Sequence, residues 1–363
     1  MINLSVGEPD FTTPDHIKVA AKEAIDNNFS FYTPVPGYLS LRKAISEKLK
    51  KENGVDFAPE QIVVGNGAKH ELTNVVMSIV NPGDEVVIPT PAWVSYIQMV
   101  ILAGGKSVEV PTTMAQNFKV TPEQLDAAIT PKTKLVILCS PSNPTGSVYS
   151  EAELRALAAV LGKYPQVMVL ADEIYEHINY IGGNFSIARC EELKDRVCII
   201  NGVSKAYAMT GWRLGYACAP ETILKQMLKI HQFAIMCAPT TSQYAAVEAM
   251  KNGDEDVAQM REEYNGRRRY VLHRFKEMGL KCFEPFGAFY AFPSIKEFGM
   301  TSDEFATKLL NSKKIAVVPG TAFGECGEGF LRISYAYSLD DLKEALGRIE
   351  EFVTELRAGM DNK

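Results

Sequence analysis

Between residues 61 and 237, short apolar runs alternate with stretches of helical periodicity, and this alternation restricts the fold more than any other feature. "QIVVG" precedes 68–80, "DEVVIP" precedes 92–103, "KLVILCS" precedes 151–163 and "LGYACAP" precedes 221–237, with "KSVEVP", "VMVLAD" and "RVCIING" between them. Strands joined by helical crossovers pair in parallel and are covered on both faces, which accounts for their continuous apolar character. The expectation is an α/β chain whose mostly parallel sheet lies between helical layers. Functional groups should gather just past the carboxyl ends of its strands.

Beyond about residue 250 the pattern changes. A long charged helical stretch, "DEDVAQMREEYNGRRRYVLHRFKEMG", leads into strand-like "GAFYAFP", a helix near 302–313, "AVVPG", "FLRISYA" and a last helix, which together read as a smaller α+β domain. The basic run "REEYNGRRRY" reads as a solvated helix face. A chain of 363 residues exceeds one compact core, so two domains are expected.

With 46% hydrophobic and 23% charged residues and a net charge of −6, the composition is that of a soluble globular protein with no general attraction to nucleic acid or anionic membranes. Seven cysteines without a C-x-x-C pair argue against a disulfide framework and a zinc site, and no metal is expected. No charged-then-apolar leader precedes "MINLSVGEPD", and every apolar run is shorter than the ~20 residues of a membrane helix. These features point to a cytoplasmic protein whose partners are small molecules and itself.

Five strand ends carry polar candidates. After "QIVVG", Gly65 and Gly67 allow a tight turn, and the helix starting near Ala68 offers free amides to an anion, although such a turn is often only a turn. It is neither a Walker motif nor G-x-G-x-x-G, because Glu71 and Leu72 follow. In "PSNPTG", Asn143 is fixed between two prolines; a rigid connecting turn is the alternative. Asp172 and Tyr175 follow "VMVLA"; a carboxylate closing an apolar strand needs a cationic or N–H partner, and a salt bridge at the core edge would also satisfy it. Lys205 follows "RVCIING", and Arg213 precedes the next strand. An amine, a carboxylate, a phenol, a carboxamide, a guanidinium and an amide cradle together match what pyridoxal phosphate (PLP) requires.

The motifs "SVGEPDF", "FYTPVPGY", "GNGAKHEL", "PAWVSY", "SPSNPTG", "ADEIYEH", "SKAYAMTGWRLGY", "GAFY", "VVPG" and "LRISYA" run in order along essentially the whole chain. In them the sequence resembles the class I (fold type I) PLP-dependent aminotransferases, closely the prokaryotic-type aspartate/aromatic subgroup. The resemblance implies a three-layer large domain over 30–265. It also implies a small α+β domain built from 1–29 and 266–363.

Carried over to matching positions, the resemblance makes Lys205 the amine that links the cofactor and then the general base. Asp172 pairs with the pyridine nitrogen, and Asn143 and Tyr175 bond the ring oxygen. Trp93 stacks on the ring. Gly67, Ala68 and Arg213 hold the phosphate, and Tyr32 reaches it from the second subunit of a homodimer. Arg332 meets the substrate α-carboxylate with Asn143 and the backbone of Gly7; an internal salt bridge is the other reading of that arginine. Lys69 lies beside the cradle and near the substrate side chain, where a compensating anion is expected because a cation at a helix N-terminus is unfavourable.

Two departures stand out. Gly202 occupies the position of a phosphate-binding serine in many relatives, and the chain starts almost on "GEPDF", where relatives carry a preceding helical arm. Transamination with aspartate favoured, aromatic amino acids accepted and 2-oxoglutarate as an acceptor is the expected activity. A carbon–sulfur β-lyase, a prephenate or aromatic aminotransferase and a non-catalytic PLP-binding regulator are the alternatives. Amino donor and acceptor are not readable from the residues alone.

Overall fold

The computed structural model describes residues 1–361. A short β1 (Ile2–Asn3) is followed by the strands of a seven-stranded sheet: β2 (Ile62–Gly65), β3 (Glu85–Thr90), β4 (Lys106–Pro111), β5 (Thr133–Cys139), β6 (Met168–Asp172), β7 (Val197–Gly202) and β8 (Gly215–Cys218). Their spatial order is β2-β8-β7-β6-β5-β3-β4. The five strands from β7 to β4 pair in parallel, while β8 runs antiparallel to both β2 and β7. The carboxyl ends of β2, β3, β5, β6 and β7 therefore share one edge with the amino end of β8. Arg213, two residues ahead of β8, reaches that edge because β8 is reversed.

Helices cover both faces, as the uninterrupted burial of β2 and β7 requires. Ala68–Ile79, Ser95–Leu102 and Glu221–Ala234 enclose one core with Val63, Ile88, Ile137 and Ile200. Asp15–Asp26, Leu39–Lys48, Glu151–Gly162 and Thr240–Asn252 enclose the other with Val64, Val87, Val136 and Ile199. The start of Glu151–Gly162 is fixed by a reciprocal cap, in which Ser150 Oγ accepts from the Glu153 amide (3.3 Å) and Glu153 Oε2 accepts from the Ser150 amide (2.7 Å).

The remainder contains β9 (Tyr290–Ala291), β10 (Ile315–Ala316), β11 (Val318–Pro319) and β12 (Leu331–Ser334). An antiparallel β11-β12-β9 sheet packs with the helices Ser302–Lys313 and Leu339–Asp361, and β1 pairs in parallel with β10. Leu4 thus shares a core with Phe275, Phe305, Leu342 and Phe352, from the other end of the chain. The strand-like "GAFYAFP" contributes only two residues of strand, and its Phe289 and Phe292 pack into separate clusters.

The long charged helix spans Asp254–Glu277. Its basic run is not a solvated face throughout. Arg267 is buried, pairs with Asp10 at 2.6 Å and lies over the rings of Phe11 and Tyr264, so it fastens the N-terminal segment to the helix. Among the described residues, no helix is long and apolar enough to cross a membrane.

Candidate active site

A cavity of about 370 Å³ opens at the shared strand edge, and Gly7, Ala68, Lys69, Trp93, Asn143, Asp172, Tyr175, Lys205, Arg213 and Arg332 all line it. That size suits a small organic ligand. Gly67 stands directly behind the wall, at φ 87°, where an added Cβ would lie 2.5 Å from Arg213 Nη2. A glycine there lets the guanidinium sit against the first turn of the helix Ala68–Ile79, whose leading amides have no intrahelical acceptor. Arg213 is held in place by the Thr210 carbonyl (2.8 Å) and the Asn66 carbonyl (3.3 Å).

Lys205 follows β7 and donates from Nζ to the Gly7 carbonyl at 2.7 Å. Burial, then the charges of Arg213 and Arg332, push its amine down to about 8, against the opposing pull of Glu8 and Asp172. A lysine in this state gives up its proton far more readily than one in water.

Asp172 ends β6 and is 4% exposed. Its Oδ2 accepts from the Tyr96 hydroxyl at 2.6 Å and its Oδ1 from the Ile174 amide at 3.2 Å. Burial raises it to about 6, and these two hydrogen bonds only partly offset that. Among the described residues no cation lies within ion-pair distance, so the salt bridge that would have explained this carboxylate is not what it makes. Opposite it in the sheet register stands Cys139, whose thiol burial pushes up to about 12.

Tyr175 shares a 2.7 Å hydrogen bond with Tyr290, and both lie on the wall. Asn143 is buried and accepts through Oδ1 from Arg332 Nη1 at 3.0 Å. Arg332 also donates to the Ser5 carbonyl and lies over the rings of Tyr290 (4.6 Å) and Phe323 (5.1 Å). It is 7% exposed, its Nε has no partner, and among the described residues no carboxylate pairs with it. The internal salt bridge considered for this arginine is therefore absent from the described residues. A buried guanidinium left this way is costly unless an anion arrives.

Among the described residues no carboxylate pairs with Lys69, for which the cofactor phosphate or a substrate β-carboxylate is the expected anion. Its ammonium sits 4.8 Å from the centre of the Trp93 ring, against the ring's negative face. Trp93 itself precedes the helix Ser95–Leu102 and meets Tyr96 edge-on. Tyr32 is not in the cavity: it is 83% exposed, beside Phe31 at 79%, in a separate surface hollow with Cys237, Pro239 and Thr240. Gly202 pairs with Gly215 across β7 and β8, and a Cβ on it would lie 2.9 Å from the Gly215 Cα. The two strands approach too closely here for a serine.

Sequence reasoning did not single out Tyr96, Tyr290 or Cys139. Tyr96 carried a faint signal, lying three residues after Trp93 across a turn that the Tyr96 amide closes onto the Trp93 carbonyl (3.1 Å). Taken together, the cavity offers an amine of lowered basicity, a desolvated carboxylate and two guanidiniums without carboxylate partners among the described residues. Such a set can hold two anionic groups on either side of a carbonyl carbon.

Residues 1–349 match the family model described as aminotransferase class I and II. The aspartate/prephenate aminotransferase of Cereibacter sphaeroides is 46% identical over 369 aligned positions, covering 98% of this chain and 92% of that protein. The aspartate aminotransferase of Pyrococcus abyssi is 45% identical over 98% of this chain and 92% of its own length. The crystal structure of an aromatic aminotransferase from Pyrococcus horikoshii superposes with a TM-score of 0.96 at 44% identity, covering 98% of this chain and 96% of that one. Agreement in sequence and in backbone over nearly the full length means that the chain belongs to the class I and II aminotransferases.

Proposed function

We propose that the cavity binds PLP and transfers the α-amino group of an acidic or aromatic amino acid to a 2-oxo acid such as 2-oxoglutarate. The observation that carries this reading is the pair of buried or wall-lining guanidiniums, Arg213 and Arg332, that flank Lys205 without carboxylate partners. One suits the cofactor phosphate and the other the substrate carboxylate.

The residues present fit the cofactor. Arg213 with the amides of Gly67 and Ala68 would hold the phosphate, Asp172 the ring nitrogen, Asn143 and Tyr175 the ring oxygen, and Trp93 a ring face. Lys205 would hold the aldehyde carbon. When bound, PLP supplies a ring that accepts electrons from the substrate Cα. A cationic ring N–H is also the partner that the Asp172 carboxylate lacks. Arg332 and Asn143 orient the substrate α-carboxylate, which fixes the Cα–H bond near Lys205 Nζ. Lys205 would take that proton at Nζ and hold it for return on the cofactor side; its lowered basicity brings it close to the operating pH.

The names of the relatives support aspartate and aromatic donors. Lys69 supports a preference for aspartate, since a flexible ammonium resting on Trp93 can pair with a β-carboxylate and swing aside for a ring. The exposed Phe31, Tyr32 and Phe233 support a homodimer in which Tyr32 of the partner subunit reaches the phosphate. The composition and the scattered cysteines support a cytoplasmic setting.

The test is to mix the PLP form with a panel of amino acids in single half-reactions, following cofactor absorbance and product. Stable 2-oxo acid without ammonia supports transamination, whereas pyruvate with ammonia assigns a β-lyase. Lys205→Ala should abolish turnover and the absorbance of the protein-linked cofactor; turnover at the wild-type rate refutes the role of Lys205.

A further inference from the structure

One cluster of ligating side chains lies outside the residues used above. Glu71, in the first turn of Ala68–Ile79, and His231, near the end of Glu221–Ala234, stand 160 residues apart in sequence and are both 0% exposed. His231 Nδ1 lies 3.1 Å from Glu71 Oε1, and His70 Nδ1 lies 3.5 Å from the same oxygen. The two imidazole rings are 5.1 Å apart, tilted by 40°. We infer that His70, Glu71 and His231 form a binding site for one divalent transition-metal ion of the zinc class.

Bonds of 2.0–2.1 Å in a tetrahedral site place neighbouring ligand atoms about 3.3 Å apart, and the two measured separations bracket that value. Two imidazoles and one carboxylate with an open fourth position form an established zinc set. His70 Nδ1 accepts from the Asn66 amide at 3.3 Å, a hydrogen bond that an ion at this nitrogen would replace. A supporting shell is present. The buried Asn74 carboxamide donates from Nδ2 to Glu71 Oε2 at 3.2 Å. Entry is through His70, whose side chain is 15% exposed. The second grouping of this kind, Glu52, Glu176 and His177, differs because the Lys48 ammonium already lies against Glu176 and Glu52.

The site is invisible to spacing rules, because its ligands come from distant helices. The experiment is equilibrium dialysis of chelator-treated, PLP-loaded protein against Zn²⁺, with Co²⁺ as a spectroscopic probe. One Zn²⁺ per chain should be retained, and Co²⁺ should give the visible bands of a nitrogen- and oxygen-ligated ion. His70→Ala and His231→Gln should each weaken binding by about a hundredfold or more. His177→Ala should leave it unchanged. His70→Ala tests the inference even if the variant at His231 does not fold. No retention by the wild type, retention unaffected by His70→Ala, or a cobalt–thiolate band pointing to cysteines would each overturn it.

Discussion

Asp172 gives the sharpest quantitative test, because its environment is costly without the cofactor. Burial raises the carboxyl from 3.8 to about 6. A carboxyl whose folded value lies above its unfolded value is bound more tightly as the acid in the fold. Its stabilising contribution is complete below pH 3.8 and is lost as pH rises through 6. The difference corresponds to about 3 kcal/mol, from ~1.4 kcal/mol per unit. Asparagine has the shape of the acid, can still accept from Tyr96, and never ionises.

Asp172→Asn should therefore match the wild type below pH 3.8 and exceed it at pH 8, both proteins being free of PLP. Unfolding entropy of ~2.1 cal/mol/K per residue, over 363 residues, turns about 3 kcal/mol into a Tm difference of about 4 °C. The assay is thermal unfolding at fixed protein concentration across that pH range, reported as the difference between the two proteins so that other titrations cancel. Adding PLP should reverse the order at pH 8, because the wild type gains its missing cation. A difference that does not change with pH would refute the reasoning, since it would mean that the Asp172 charge is already compensated in the cofactor-free fold.

Three further outcomes follow from the geometry. Arg332→Ala should lower kcat/KM for every amino acid by a similar factor, at a cost of roughly 2–5 kcal/mol, because all substrates share the α-carboxylate; a loss confined to dicarboxylic substrates would assign Arg332 to the distal group instead. Lys69→Ser should reduce kcat/KM for aspartate while sparing phenylalanine, and equal losses would place Lys69 in service of the phosphate or of Trp93 packing. Gly202→Ser should destabilise the protein by about 1–3 kcal/mol in urea titration, because its Cβ would press on the Gly215 backbone; unchanged stability with tighter PLP binding would show that the strands can part.

The strand-end chemistry was legible because the side-chain types and the strand that carries each are both local facts. "RVCIING" ends at a turn whatever lies beside it, so Lys205 had to emerge at the sheet edge. What pairs with each group was not local. Arg267 sits in a run of charged residues that reads as solvent-facing, and only the return of the N-terminal segment supplies Asp10 and Phe11 to bury it. Tyr96 sits in "WVSYIQMVIL", where a tyrosine reads as packing, and its hydroxyl acquires meaning only when β6 delivers Asp172 from 76 residues away.

Arg213 shows how topology decides the outcome. Its sequence neighbours place it before a strand, which in an all-parallel sheet is the edge opposite the active site. The reversal of β8 brings it to the catalytic edge, where Gly202 and Gly215 meet as a direct pair. The position where the resemblance sets a phosphate-binding hydroxyl is occupied here by a glycine in close contact with Gly215, two residues from the guanidinium proposed to hold the phosphate. The Gly202→Ser variant therefore tests whether a side chain at this close strand approach disturbs the placement of Arg213.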